Sequence, residues 1–104
     1  MDLSKNTIQK VDAVSGCFMM FNRDQYLSVG GFDERFFLYF EDTDFCYKIN
    51  KLGFNNIYYP KSEIIHLKNG SRNCINYLFV TITFYLSFLK FILKYNRIFF
   101  KLNN

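Results

Sequence analysis

The order of apolar and polar positions changes character three times along these 104 residues. Residues 1–10 mix charged, amide and hydroxyl side chains without a period and read as a frayed end. Residues 11–21 (VDAVSGCFMMF) are mostly apolar and predict a buried strand broken at Ser15-Gly16. Asn22 or Asp24 then caps a short helix through Tyr26, Leu27 and Val29, which Gly30-Gly31 stops. The run FFLYF leads directly into FEDTDF. From there Phe45, Ile49 and Leu52 recur at helical spacing, with Asp42 or Thr43 as N-cap, Lys48 and Lys51 near the end and Gly53 as the stop. Residues 54–59 predict a strand ended by Pro60, residues 63–67 another short one, and Asn69-Gly70-Ser71 a turn.

From residue 74 onward the chain is apolar and aromatic. Its uncharged run, residues 74–89, falls short of the roughly 20 residues that span a bilayer. Lys90, Lys94, Arg97 and Lys101 follow at helical steps, with apolar residues covering most of the other faces. Such an amphipathic helix suits an anionic membrane interface, or a packing helix whose lysines form its wet side. The pattern therefore divides the chain into an end (1–10), a mixed α/β part (11–73) and a basic aromatic helical tail (74–104).

Charge sharpens that division. The formal net charge is +4, and no acid follows Glu63. A fifth of the residues are aromatic, yet no recognised nucleic-acid motif accompanies the basic tail, so no nucleic-acid partner is expected. The three cysteines, Cys17, Cys46 and Cys74, have no metal-binding spacing, and no signal-peptide pattern opens the chain. These features suggest a reduced, cytoplasmic protein.

Chemistry concentrates at Glu41, Asp42 and Asp44. A carboxylate at a helix N-terminus is favoured in its charged form by the dipole and free amides, which suits Asp42 as a general base. An ordinary capping cluster has the same spacing. Asp42-Thr43-Asp44 also spells D-x-D, but a hard cation needs more oxygens than two side chains supply. His66, the sole histidine, is able to ligate a metal, and Arg72 to contact phosphate. Nothing marks Ser15 or Cys17 as an activated nucleophile, and no phosphate-cradling glycine loop is present.

Taken in order, V-S-G, G-G-F-D-E-R-F-F, F-E-D-x-D, K-x-G, Y-x-P and I-H-x-x-G-S make residues 11–71 resemble the second half of an inverting family 2 glycosyltransferase. The likeness is to bacterial rhamnosyltransferase-like enzymes of surface polysaccharide assembly. It implies the C-terminal half of a GT-A fold, a mixed sheet flanked by helices. It further implies a nucleotide-diphospho-sugar donor, a glycan or lipid-linked acceptor, and Mg²⁺ or Mn²⁺ in the complete enzyme. By the same resemblance Asp42 is the catalytic base, Glu41 orients the acceptor and His66 helps hold the metal. Ser15, Gly16, Gly31 and Asp33 shape the acceptor side. The family's nucleotide-binding half, with its own D-x-D, has no counterpart here. The resemblance thus implies a fragment that needs a separate half for activity and holds no cation tightly by itself, peripheral at the inner face of the membrane. The alternative is a noncatalytic membrane-surface interaction module.

Overall fold

A computed structural model of the chain describes residues 6–67 and 76–102, with the side chains of the last helix described as far as Asn96. The elements run β1 (Gln9–Val11), α1 (Arg23–Ser28), α2 (Glu41–Lys51), β2 (Asn56–Tyr58) and α3 (Asn76–Leu102). They fall into two units, one of Met1–Asp33 with Asp42–His66, the other of Glu34–Glu41 with Leu67–Asn104.

In the first unit β1 and β2 pair antiparallel, with Gln9 opposite Tyr58, Lys10 opposite Ile57 and Val11 opposite Asn56. Residues 9 and 10 are therefore paired strand, not the frayed end their polarity predicts. The long strand expected over 11–21 ends at Val11, and residues 12–22 take an irregular path. Apolar character alone supplies no ladder; a strand needs a partner for its amides and carbonyls. Asn56 serves that path instead, its Nδ2 donating to the carbonyls of Asp12 at 3.0 Å and Cys46 at 3.0 Å. The strand expected at 54–59 contracts to three residues, and 63–67 forms none.

α1 follows its sequence signals closely. The Asn22 side chain caps it by accepting from the Asp24 amide at 2.8 Å. At its end the Gly30 amide donates to Leu27 at 3.0 Å and the Gly31 amide to Tyr26 at 2.9 Å, a Schellman closure. α2 closes in the same way through Gly53 and Phe54. It starts at Glu41, so neither Asp42 nor Thr43 is its N-cap; both lie inside the first turn. The preceding residues, Tyr39 and Phe40, hold positive φ angles of 67° and 69°, a left-handed pair that costs non-glycine residues about 1–2 kcal/mol each.

The core of the first unit is aromatic. Phe45, only 2% exposed, packs its ring 5.0 Å from Phe21, 5.0 Å from Phe32 and 5.7 Å from Tyr26, with Ile49 buried one turn on. A β-carbon at Gly31 (φ 69°) would lie 2.7 Å from the Tyr26 hydroxyl, so only glycine permits this closeness.

In the second unit residues 34–41 run antiparallel to α3. Phe40 sits 5.4 Å from Phe84 and 5.7 Å from Phe88, the buried Ser87 hydroxyl donates to the Leu38 carbonyl at 2.8 Å, and Lys90 Nζ donates to the Arg35 carbonyl at 3.1 Å. Among the described residues α3 keeps most of its apolar side chains exposed, and Asn76–Asn96 is long and apolar enough to cross a membrane by length and composition.

Candidate active site

Asp42 owes its position to the start of α2 and to the bend at Ser15-Gly16. Its Oδ2 accepts from the Gly16 amide at 2.8 Å, and its Oδ1 accepts from the Thr43 amide at 2.7 Å. A β-carbon on residue 16 would approach Asp42 Cβ to 3.3 Å, so glycine brings the loop amide within hydrogen-bonding reach. The bend is further shaped by Ser15 Oγ, which donates to Cys17 Sγ at 3.2 Å. Asp42 remains partly accessible, as a proton acceptor in catalysis must be. The V-S-G turn and the Glu-Asp pair, 26 residues apart in the chain, thus meet at one carboxylate.

Glu41 opens α2 and is half-buried. Its Oε2 is buried and accepts no hydrogen bond among the described residues. A carboxylate oxygen in that state is costly without a partner, and its deficit is met by any donor brought to it.

Asp44 has a different task. It is fully buried and pairs with Lys48 Nζ at 3.5 Å, while that ammonium donates to the Gly31 carbonyl in a short 2.6 Å bond. One helical turn therefore locks the Gly30-Gly31 segment to α2, and the third carboxylate of FEDTDF is structural. The i,i+4 spacing of Asp44 and Lys48 was the available signal for this pair, although spacing alone gave no sign of its burial.

Behind Asp42 lies Cys46, whose Sγ accepts from the Val14 amide at 3.5 Å. Burial pushes its thiol above the ordinary value, and the nearby Asp42 charge adds to the rise, against an opposing hydrogen bond from Val14. It is a neutral packing group, unlike the exposed Cys17.

The remaining expected residues separate. Gly31 and Asp33 lie in the segment held by Lys48 and the aromatic core. His66 is exposed, and among the described residues no group of three His, Cys, Asp or Glu side chains gathers to hold a metal. The Mg²⁺ or Mn²⁺ of the resemblance thus has no such ligand group among the described residues. Arg72 lies outside the described residues, as do the side chains of Arg97 and Lys101. Lys90 and Lys94 do not form a bare wet stripe: Lys90 holds the Arg35 carbonyl, and Lys94 lies 5.7 Å from the Phe36 ring centre.

Comparison with known proteins agrees with the ordered motifs. A family model described as the N-terminal domain of galactosyltransferase matches residues 4–70. The chain is 40% identical over 58 residues to the N-acetylglucosaminyl-diphospho-decaprenol L-rhamnosyltransferase of Mycobacterium tuberculosis, a match covering 56% of this chain and 19% of that protein. It is 36% identical over 56 residues to rhamnosyltransferase WbbL of Escherichia coli K12, covering 54% of this chain and 21% of that one. The chain thus spans about a fifth of the length of these curated relatives. No solved structure gives a significant match.

Proposed function

The chain belongs to the glycosyltransferases, through the family described as the N-terminal domain of galactosyltransferase, with rhamnosyltransferase relatives; from that premise we propose that it supplies the acceptor-activating part of an inverting sugar transfer. The donor is a nucleotide-diphospho-sugar and the acceptor a lipid-linked glycan, the kind of molecule for which the mycobacterial relative is named.

The observation that carries this proposal is the clamp on Asp42. Two backbone amides, with a longer bond from the Thr43 hydroxyl at 3.4 Å, fix its carboxylate while leaving it partly accessible, and a carboxylate offers about four lone-pair sites, more than those three bonds use. In the proposed step a remaining lone pair takes the proton of an acceptor hydroxyl. The hydroxyl oxygen attacks the anomeric carbon from the face opposite the nucleoside diphosphate, which departs with the bonding electrons, and the configuration inverts. By the family resemblance, Glu41 supports the same step by orienting the acceptor. Donor binding belongs to a nucleotide-binding half of the GT-A type. The divalent cation of such enzymes, with His66 as one ligand, requires further ligands from that half.

Asp42→Asn tests the assignment in protein supplied with a nucleotide-binding half. Turnover should fall by about 10²- to 10⁴-fold, the range for removing a general base, with little change in acceptor KM. Unchanged turnover removes Asp42 from that role.

The exposed apolar length of α3 favours a second contribution, attachment to the cytoplasmic face of a membrane, which would also serve as the noncatalytic alternative. Co-sedimentation with anionic vesicles at low salt checks it; protein that stays in the supernatant rules it out.

A further inference from the structure

Resting on the membrane attachment proposed above, the geometry of the second unit decides how α3 meets lipid. We propose that α3 lies in the plane of an anionic bilayer surface and does not cross it. The stripe Leu78, Ile82, Tyr85, Leu89 and Ile92 enters the lipid, and residues 34–41 stay on the water side. These five residues recur at steps of four and three, so they share one face of the helix. All five are exposed, Leu78 by 67% and Tyr85 by 65%, and the stripe runs for about 21 Å at 1.5 Å per residue.

The opposite face is already occupied. Val80 and Ser87 are buried there, Ser87 Oγ donates to the Leu38 carbonyl at 2.8 Å, and the Phe40 ring packs 5.7 Å from that of Phe91. Lys90 lies on the same side, where its Nζ holds the Arg35 carbonyl. These contacts oppose a spanning helix. Ser87 stands beside the midpoint of Asn76–Asn96, so crossing a bilayer would carry Leu38 to the middle of the hydrocarbon, with the Arg35 backbone only about 5 Å further along. Residues 34–40 form neither helix nor strand, and Glu34, Arg35 and Phe37 are exposed. Irregular backbone facing lipid has no water to satisfy it, and charged side chains at that depth are costly. A helix in the plane of the surface avoids both, since only its stripe enters the boundary between headgroups and acyl chains.

Charge identifies the surface. The second unit carries two carboxylates, Glu34 and Glu41, and seven basic residues, so positive charge is in excess whatever pairs form within it. Anionic headgroups complement that excess, which a purely apolar protein partner does not. Glu41 ends the segment that α3 holds, so a docked helix also sets the height of that carboxylate over the lipid.

The test is binding of the full chain to vesicles of phosphatidylcholine and phosphatidylglycerol at low salt. Depth is read from nitroxide labels placed by Leu78→Cys, Tyr85→Cys, Ile92→Cys and Phe37→Cys in turn, with the native cysteines replaced by alanine. Labels at residues 78, 85 and 92 should share one shallow depth, and the label at residue 37 should remain in water. A label at 85 about 10 Å deeper than those at 78 and 92, with the one at 37 immersed, means a spanning helix. That result overturns the proposal and leaves attachment standing, whereas no binding at all removes attachment itself. Ile82→Asn with Leu89→Asn should weaken binding about a hundredfold, and Thr83→Asn, which shares the spacing of Val80 and Ser87, less than about threefold. Equal losses overturn the assignment of the face, with circular dichroism checking the helix in each variant. Dipolar coupling between the residue 85 labels of two copies, persisting on the vesicles, puts a second copy on the stripe and overturns the lipid assignment.

Discussion

α2 and α3 are both helices rich in aromatic and charged residues, yet they are held by opposite means. α2 has 11 residues, a length at which an isolated helix is marginal in water. Its position comes from outside itself: Gly16 on Asp42, Val14 on Cys46, Gly31 on Lys48 and Asp12 on Asn50 each tie one turn to a loop. α3 has 27 residues, and few of its described side chains are buried. Its backbone is satisfied by its own length, and its exposed rings need an environment that the described residues do not supply. The short helix is tied at several turns, which suits the proton transfer proposed for Asp42. The long one is free to match a surface.

The largest effect that would sharpen this contrast is Phe45→Ala. Phe45 joins α2 to the rings of Phe21, Tyr26 and Phe32, and its removal should cost about 3–5 kcal/mol. That is enough to unfold the first unit while most helical circular dichroism from α3 remains. Loss of all helical signal in one transition would break the comparison, because α3 would then depend on the first unit.

Next in size is Asp44→Ala. It leaves Lys48 beside a desolvated site without its carboxylate, and breaking such a pair costs about 3 kcal/mol. Hydrogen exchange should rise at the Gly30 and Gly31 amides together with α2. Adding Lys48→Met should recover part of the loss, since the stranded charge is removed. A double variant no better than the single one would show that Asp44 acts through packing alone.

Gly31→Ala comes third. Gly30 and Gly31 both have positive φ, but a β-carbon on Gly30 meets nothing within 4 Å while one on Gly31 meets Tyr26 at 2.7 Å. Gly30→Ala should therefore cost about 1 kcal/mol and Gly31→Ala at least about 2, as read from urea unfolding midpoints. Equal costs would mean that Tyr26 swings aside freely and does not help to lock the segment onto α2.

These positions also show what was legible in advance. The Asn22 cap, the Gly30-Gly31 stop, the body of α2 and the continuous tail helix were readable because their signals are local. Glycine, a capping amide and a 3.6-residue period act within a turn or two. β1 was not readable: Gln9 and Lys10 are polar, and only their pairing with Tyr58 and Ile57 makes them a strand. Residues 12–21 misled in the opposite way: most of them are exposed instead of buried in a ladder, and they meet Asp42 and Cys46 through backbone amides at Gly16 and Val14. In the site itself, the ordered motifs pointed to Asp42 and Gly16, and the structure brings those two into contact. Nothing in the sequence set Asp44 apart from Asp42 as the buried member of the cluster, because burial is fixed by what Phe45 and Lys48 face. Nor did it show Arg35 and Phe36 beside Lys90 and Lys94, a contact between residues more than fifty positions apart.

The smallest effect concerns pH and separates the two cysteines of the first unit. Cys17 is exposed and Cys46 buried, so a thiol reagent should label Cys17 quickly in the folded chain and Cys46 only on unfolding. Burial raises the Cys46 pKa above its ordinary value of 9.0, so the fold favours the neutral thiol. The sign follows directly. Below the unfolded value both states keep the proton and the stability is fully present. As pH rises past 9.0 the unfolded chain loses that proton first, and stability falls until the folded thiol also ionises. The slope there should approach 1.4 kcal/mol per pH unit at most. Other groups titrate in the same range, so the decisive quantity is the difference between the original chain and Cys46→Ala in urea unfolding at pH 8 and pH 10. The variant should lose less stability over that interval, even if the cavity it leaves lowers its stability at both. Equal losses would mean that water reaches the sulfur, and that the loop at Val14 packs on α2 less tightly than the hydrogen bond at Gly16 requires.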